Sequence, residues 1–345
     1  MFIYITISIC TVFLSLIAAK YKSKVILFVL IAFLTVISGT RSVNVGTDTS
    51  TYYAYFEQIA CGNSGYFDVG FELLSKVLIK LLGEVSLLFI TYAAITNCLI
   101  VLRLWKLRRK PLTFTLMIFI YVAMYYAESM NIMKQFLALS IVFYSTSLLK
   151  NKRYLTYIIM VIIASTIHMS AAISIVILPI YFFNNDENKR KHKYFFLMAV
   201  LCIPFIIGSM ISIFDTYKEF FLYSKVVISY VIIFRLFIVF TYLTRNHRVL
   251  FLKNVSPEEK ELKIDFFIFA VGAMISIIGL YYEQMARIAL YFTIFEIPFL
   301  SQIVTSKRNK WVVVLYIIMA LYFIIVKISI NHEYQIIPYS SFFLK

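Results

Sequence analysis

The chain has 345 residues, 62% of them hydrophobic and 14% charged, with a mean hydropathy of +0.87 and a formal net charge of +16. Soluble domains are about half apolar and about a quarter charged, so this composition excludes a soluble globular fold and makes lipid the solvent. In hydrocarbon every backbone N–H and C=O needs an internal partner, and continuous apolar runs of about 15 to 20 residues select helices over barrel strands.

In chain order, helices are expected near 2–19, 25–40, 86–102, 112–127, 135–149, 154–167, 169–183, 194–213, 226–243, 264–282, 288–305 and 311–330. The expected fold class is all-α: a polytopic transmembrane helical bundle of about twelve membrane helices, forming one integral membrane domain over 1–345. The first run has no basic residue before it and Lys20, Lys22 and Lys24 after it. A secretory signal has the opposite order, so this run reads as a retained helix.

The connections sort into two classes. Lys20/Lys22/Lys24, the 103–110 cluster, Lys150/Lys152/Arg153, the 189–193 cluster, the 245–263 loop and Lys307/Arg308/Lys310 hold most of the 33 Lys and Arg. They recur at every second connection, so the positive-inside rule places them in the cytoplasm and the N-terminus outside. The net charge is then a topology signal, and no nucleic-acid partner is expected. Residues 154–183 keep this alternation only as two short helices meeting at His168 at the outer face. A single long helix would invert every later loop.

The longest hydrophilic connection, 41–85, is expected outside. Gly46 permits a tight turn. Asp48, Thr49 or Ser50 caps a short helix carrying Tyr52, Tyr53 and Phe56. Residues 69–82 read as an amphipathic helix lying along the interface. Apolar positions 71, 73, 74, 77, 78, 81 and 82 form one face, with Glu72, Lys76 and Lys80 on the other. Aromatic faces beside a carboxylate suit sugar rings, although an interfacial aromatic belt has the same composition.

Charges in or against a membrane are costly and mark candidate sites. On the outer side these are Arg41, Asp48, Glu57, Glu72, Glu128, Lys134, His168, Glu283 and Arg287. Arg235, Glu296 and Lys327 lie deeper. The four histidines (168, 192, 247 and 332) do not cluster with acids at ligand spacing, and the four cysteines have no metal-ligand pairing, so no metal is expected.

Arg41…Gly46-x-Asp48-x-x-x-Tyr52 resembles the first-loop signature of the EpsG family, relatives of the Wzy O-antigen polymerases. Glu72 in Gly70-Phe-Glu-Leu-Leu matches the acidic position that follows. Met133-Lys-Gln, Lys150-Asn-Lys-Arg-Tyr154, Ala164-Ser-Thr-Ile-His-Met-Ser170, Met285-Ala-Arg-Ile-Ala-Leu-Tyr-Phe292 and Ile337-Pro-Tyr339 are similar to the later motifs, so the resemblance covers nearly the whole chain. One departure is Lys134, where the family usually has arginine. Lysine keeps the charge and loses the planar bidentate fork.

The resemblance implies a GT-C-like polysaccharide polymerase, a glycosyltransferase of the bacterial cytoplasmic (inner) membrane with its active site facing the periplasm or exterior. Its donor would be a glycan on undecaprenyl pyrophosphate and its acceptor one lipid-linked repeat unit. No cofactor is implied. Its partners are undecaprenyl-pyrophosphate-linked glycans, membrane lipids, a chain-length regulator and a flippase. Departure of the diphosphate calls for cations: Arg41, Lys134, Arg287 and the deeper Arg235. The incoming hydroxyl calls for a base among His168, Asp48 and Glu72. Tyr52, Tyr53, Gln135 and Tyr339 are the sugar-binding candidates. The rival readings are a lipid-linked oligosaccharide flippase, which usually shows repeated halves, an O-antigen ligase, and a membrane acyltransferase.

Overall fold

The computed structural model describes residues 2–185, 230–251, 256–279, 283–303, 310–331 and 333–342. The expected helix at 194–213, the basic cluster at 189–193 and the outer segment 214–225 lie outside the described residues. Among the described residues the chain is helical, without strands.

The first four helices are α1 (Phe2–Lys20), α2 (Lys24–Gly39), α3 (Thr49–Ala60) and α4 (Val69–Leu82). Next come α5 (Ser86–Leu107) and α6 (Pro111–Tyr121), which runs through a π-helical turn at Val122–Tyr126 into α7 (Ala127–Asn131). Then follow α8 (Met133–Lys150), α9 (Tyr154–Ile167), a 3-10 helix at Met169–Val176 and α10 (Ile177–Asn185). The last are α11 (Tyr230–Phe251), α12 (Pro257–Ile278), α13 (Glu283–Thr293), α14 (Glu296–Ile303) and α15 (Lys310–Tyr322), which continues as a π-helix over Phe323–Ile330.

This is a membrane protein. Four described helices are long and apolar enough to cross a bilayer: Ile3–Lys20, Ser86–Leu107, Pro111–Asn131 and Trp311–Ile328. A fifth results if the pair Gln284–Thr293 and Glu296–Ile303, bent by 41°, is one broken span. The expected twelve spans are therefore not reached among the described residues. Lys24–Gly39, Tyr154–Ile167 and Met169–Phe182 are apolar but short, and α11 and α12 carry charged ends. The expected cytoplasmic loop at 245–263 also shrinks, because α11 runs on to Phe251 and α12 starts at Pro257. The reason for the early start of α12 is local. Ser256 Oγ accepts from Glu259 N–H at 3.2 Å, and Glu259 Oε2 accepts from Ser256 N–H at 2.9 Å, a capping box with Pro257 in the first turn.

The chain breaks at His168, whose backbone is extended (φ −151°, ψ 114°). Tyr157 hydroxyl donates to Ser174 carbonyl at 2.7 Å, and the Tyr154 and Phe182 rings lie 4.5 Å apart. In one straight helix those pairs would be more than about 20 Å apart. Residues 154–185 therefore fold as a helical hairpin with His168 at its tip, in line with the two-helix reading.

Two polar ends are separated along α8. Lys134 and Lys150 are sixteen residues apart, or about 24 Å at 1.5 Å per residue. At the Lys150 end, Glu261 takes Lys150 at 2.6 Å and Arg109 at 3.6 Å, and Arg109 also meets Glu258 at 3.0 Å. Three expected cytoplasmic connections thus converge. At the Lys134 end gather the 41–68 loop, the His168 tip, the start of α13 and the C-terminal segment. Gly70 allows α4 to lie against that tip, since a Cβ there would sit 2.7 Å from Thr166 Cβ.

Candidate active site

The first loop is built on a layer of rings. Tyr52, Phe56, Phe67, Phe71, Phe89 and Tyr92 pack with centroids 4.8 to 6.3 Å apart, burying apolar area at the Lys134 end. Tyr52 and Tyr53, the sugar-binding candidates of this loop, belong to this packing. Tyr52 stacks on Phe67, and its hydroxyl accepts the Lys134 N–H at 3.4 Å. Tyr53 stacks between Phe89 and Phe342. Their faces are occupied by protein rings.

Arg41 is also a structural residue. It is 1% exposed, and its guanidinium donates to the carbonyls of Ser38 and Met130 and to Thr49 Oγ1 while lying over the Phe89 ring. A buried cation must find such partners. Those partners make Arg41, a candidate for the diphosphate, a clamp between α2, the first loop and α7. Gly46, at φ +99°, makes the expected turn, and a Cβ there would strike Asn131 Oδ1.

Glu72, one of the candidate bases, is held within its own turn. Its carboxylate accepts N–H groups from Gly65, Tyr66 and Phe67 at 2.8, 3.1 and 3.5 Å and pairs with Lys76 at 2.9 Å. Lys76, and then those N–H groups, hold it down at about 2. A saturated anion organises the 61–68 turn and has little affinity for a proton.

His168 and Lys134 meet at a residue the sequence reading passed over. Asp68 Oδ2 lies 2.6 Å from Lys134 Nζ and 3.5 Å from His168 Nδ1. Burial pushes the Asp68 carboxyl up, but His168 and Lys134 outweigh it and bring it down to about 2. Asp68 sits just before α4, where a capping role is the default, yet its side chain makes no cap hydrogen bond. Nothing local in the sequence signals its partners, which come from α8 and the hairpin tip. A carboxylate with a depressed pKa stabilises the fold above its unfolded value near 3.9, and that contribution disappears as pH falls toward 2. Asp68→Asn in detergent is therefore expected to lower the thermal unfolding midpoint at pH 7. The gap from wild type should close between about pH 4 and pH 2; a gap independent of pH would contradict the ion pair.

Next to α8 lies a cavity of about 480 Å³. Arg235, Arg287 and Lys327 bring three cations to its wall, and Asp48 and Glu128 bring two carboxylates. Asn131 and Tyr334 complete the side formed by the first loop and the C-terminal segment. The deep cation is held firmly. Arg235 donates to both Glu296 oxygens, at 2.9 and 2.7 Å, and the hydroxyls of Tyr125 and Tyr316 donate to the same carboxylate at 2.5 and 3.1 Å. Glu296 is completely buried. Its bend between α13 and α14 brings it under the cavity.

Of the sequence-stated cations, then, Arg235 and Arg287 share this cavity, while Arg41 and Lys134 do not line it. Of the stated bases, Asp48 lines it, and His168 and Glu72 do not. Gln135 acts from behind the wall: its Nε2 donates to the Arg287 carbonyl at 2.6 Å, fixing the backbone that carries Arg287. In that contact Gln135, a sugar-binding candidate, serves as a strut through its amide N–H. Tyr339 is another strut, donating to Ile37 carbonyl at 2.6 Å. Lys327, Glu128 and Asn131 join the site from distant segments. The sequence marked the first two as membrane charges but could not show that they share a cavity.

Residues 24–341 match the model of the EpsG family. The chain belongs to the EpsG family. This is a family of Wzy-like polysaccharide polymerases. No curated protein and no solved structure matches the chain. The match embraces α2 to the C-terminal segment, so the cavity and every residue on its wall fall within the EpsG region.

Proposed function

We propose that this EpsG-family chain is a glycosyltransferase that joins undecaprenyl-pyrophosphate-linked oligosaccharide repeat units at the outer face of the bacterial cytoplasmic membrane. The observation that carries this reading is the cavity, where Arg235, Arg287 and Lys327 face Asp48 and Glu128 inside an apolar helical body. Its volume falls in the range of about 300–1,000 Å³ typical of small-ligand sites.

In this reading the acceptor hydroxyl oxygen attacks the donor anomeric carbon. The bond from that carbon to the diphosphate oxygen breaks, and lipid diphosphate leaves with the electron pair. Arg287 and Lys327 stabilise the charge growing on the leaving oxygens, as fixed cations placed where that charge develops. Arg235, clamped by Glu296, holds a fixed charge at the deep end. Asp48 orients the acceptor hydroxyl and takes its proton, because it is the one of the three sequence-stated bases on the cavity wall. The His168–Asp68–Lys134 group holds the start of α8, and through Gln135 the Arg287 backbone. The acidic end at Glu258 and Glu261, with its basic partners, is read as cytoplasmic and the cavity end as external.

The test is extension of a lipid-linked repeat unit by purified protein in liposomes. A ladder of products spaced by one repeat supports the polymerase. Translocation of the lipid-linked unit without extension would replace this reading with the flippase, and transfer only to added lipid A core would replace it with the ligase.

A further inference from the structure

The sequence reading placed the sugar contact of the C-terminal segment at Tyr339. Its ring is instead a strut, and the residue this segment delivers to the cavity is Tyr334. The delivery is elaborate. Tyr334 and Gln335 both hold left-handed backbones, at φ +70° and +50°, a conformation that residues with a Cβ adopt at a cost. The surrounding contacts over-determine it. Asn131 Nδ2 donates to Tyr334 carbonyl at 3.2 Å, and Gly46 N–H donates to Gln335 carbonyl at 2.9 Å. Further on, Ser42 N–H donates to Ser340 carbonyl at 2.9 Å and Phe342 N–H to Thr40 carbonyl at 2.8 Å. The segment is thus strapped across the first loop along its length.

The strap brings Tyr334 to the cavity that Asp48 also lines, and its ring rests against Phe323 with centroids 6.4 Å apart and planes 29° from parallel. The ring packs partly on the core, and glycine would hold the same backbone without strain but without the ring. Strain retained at a cavity wall points to the side chain. An aromatic ring that shares a cavity with a carboxylate offers a pyranose both contacts it needs: the ring face turned away from Phe323 for its C–H face and an acceptor for its hydroxyls. We infer that Tyr334 is a specificity-determining residue that binds a sugar ring of the acceptor repeat unit, presented by the C-terminal strap. This inference rests on the polymerase reading and adds the substrate-contacting residue to it.

The test uses full-length protein and lipid-linked repeat unit extracted from cells deleted for this gene. Tyr334→Gly removes the ring while relieving the backbone. It is expected to raise KM for the repeat unit about tenfold with kcat changed less than about twofold. Tyr334→Phe keeps the ring and should stay within about twofold of the wild-type KM. An unchanged KM in Tyr334→Gly, while Arg287→Ala is inactive, would overturn the ring contact and leave the polymerase reading standing. A lowered thermal midpoint in Tyr334→Gly with unchanged KM would assign the tyrosine to folding. A wild-type protein that extends nothing would overturn the polymerase reading itself.

Discussion

Arg287→Ala is expected to insert and fold normally yet lose long glycan chains, with kcat for extension reduced about 10²- to 10³-fold. Two observations separate folding from function at this position. The Arg287 side chain is exposed and lines the cavity, while its backbone carbonyl is held independently by Gln135. Truncation therefore removes a cation from the path of the departing diphosphate and leaves α13 anchored. Arg287→Lys should recover part of the rate, since an ammonium keeps the charge and lacks the planar fork. The product ladder in liposomes and the yield of monodisperse protein are the two readouts. A wild-type ladder from Arg287→Ala would remove this residue from the leaving-group site.

Arg235→Met is expected to behave differently, by damaging the fold. Its partner Glu296 is fully buried beneath the cavity and would be left without a cation. Breaking a buried pair from one side costs about 3–5 kcal/mol, a large part of the roughly 5–15 kcal/mol that holds a typical domain folded. Little monodisperse protein should survive size-exclusion chromatography. Adding Glu296→Gln should restore much of the thermal midpoint, because the neutral amide offers its oxygen to one of the Tyr125 and Tyr316 hydroxyls and an N–H to the other and no longer needs a counter-ion. The double variant should nevertheless remain poorly active, since a cavity cation is gone. Full stability in Arg235→Met alone would show that the four-residue network does not clamp the cavity floor.

Local signals were legible without the structure. The amphipathic face of 69–82 predicted α4 with the bounds it has, because helix periodicity is a property of neighbouring residues. The break at His168 followed from the charge alternation of loops far along the chain, together with the shortness of each half. The capping box at Ser256 was equally local and could have been read, which would have shortened the loop expected at 245–263. The membrane charges, Glu128 and Lys327 included, stood out because lipid makes each of them costly.

Which of those charges work together was decided in three dimensions. Arg41 and Arg287 look alike in a sequence, but one is spent on backbone carbonyls and the other stands at a cavity wall. Asp68 gained its role from Lys134 and His168, 66 and 100 positions away along the chain. Tyr52 and Tyr53 pack on protein rings and Tyr339 donates to a carbonyl, while a strap tied to the first loop brings Tyr334 to the cavity. The sequence by itself determined that the chain is a helical membrane protein with polar ends, because hydropathy, helical period and loop charge are read within a few residues. Only the tertiary structure decided which groups face one another, because desolvation and hydrogen bonding depend on what packs alongside, and those neighbours are set by helix contacts that no local pattern encodes.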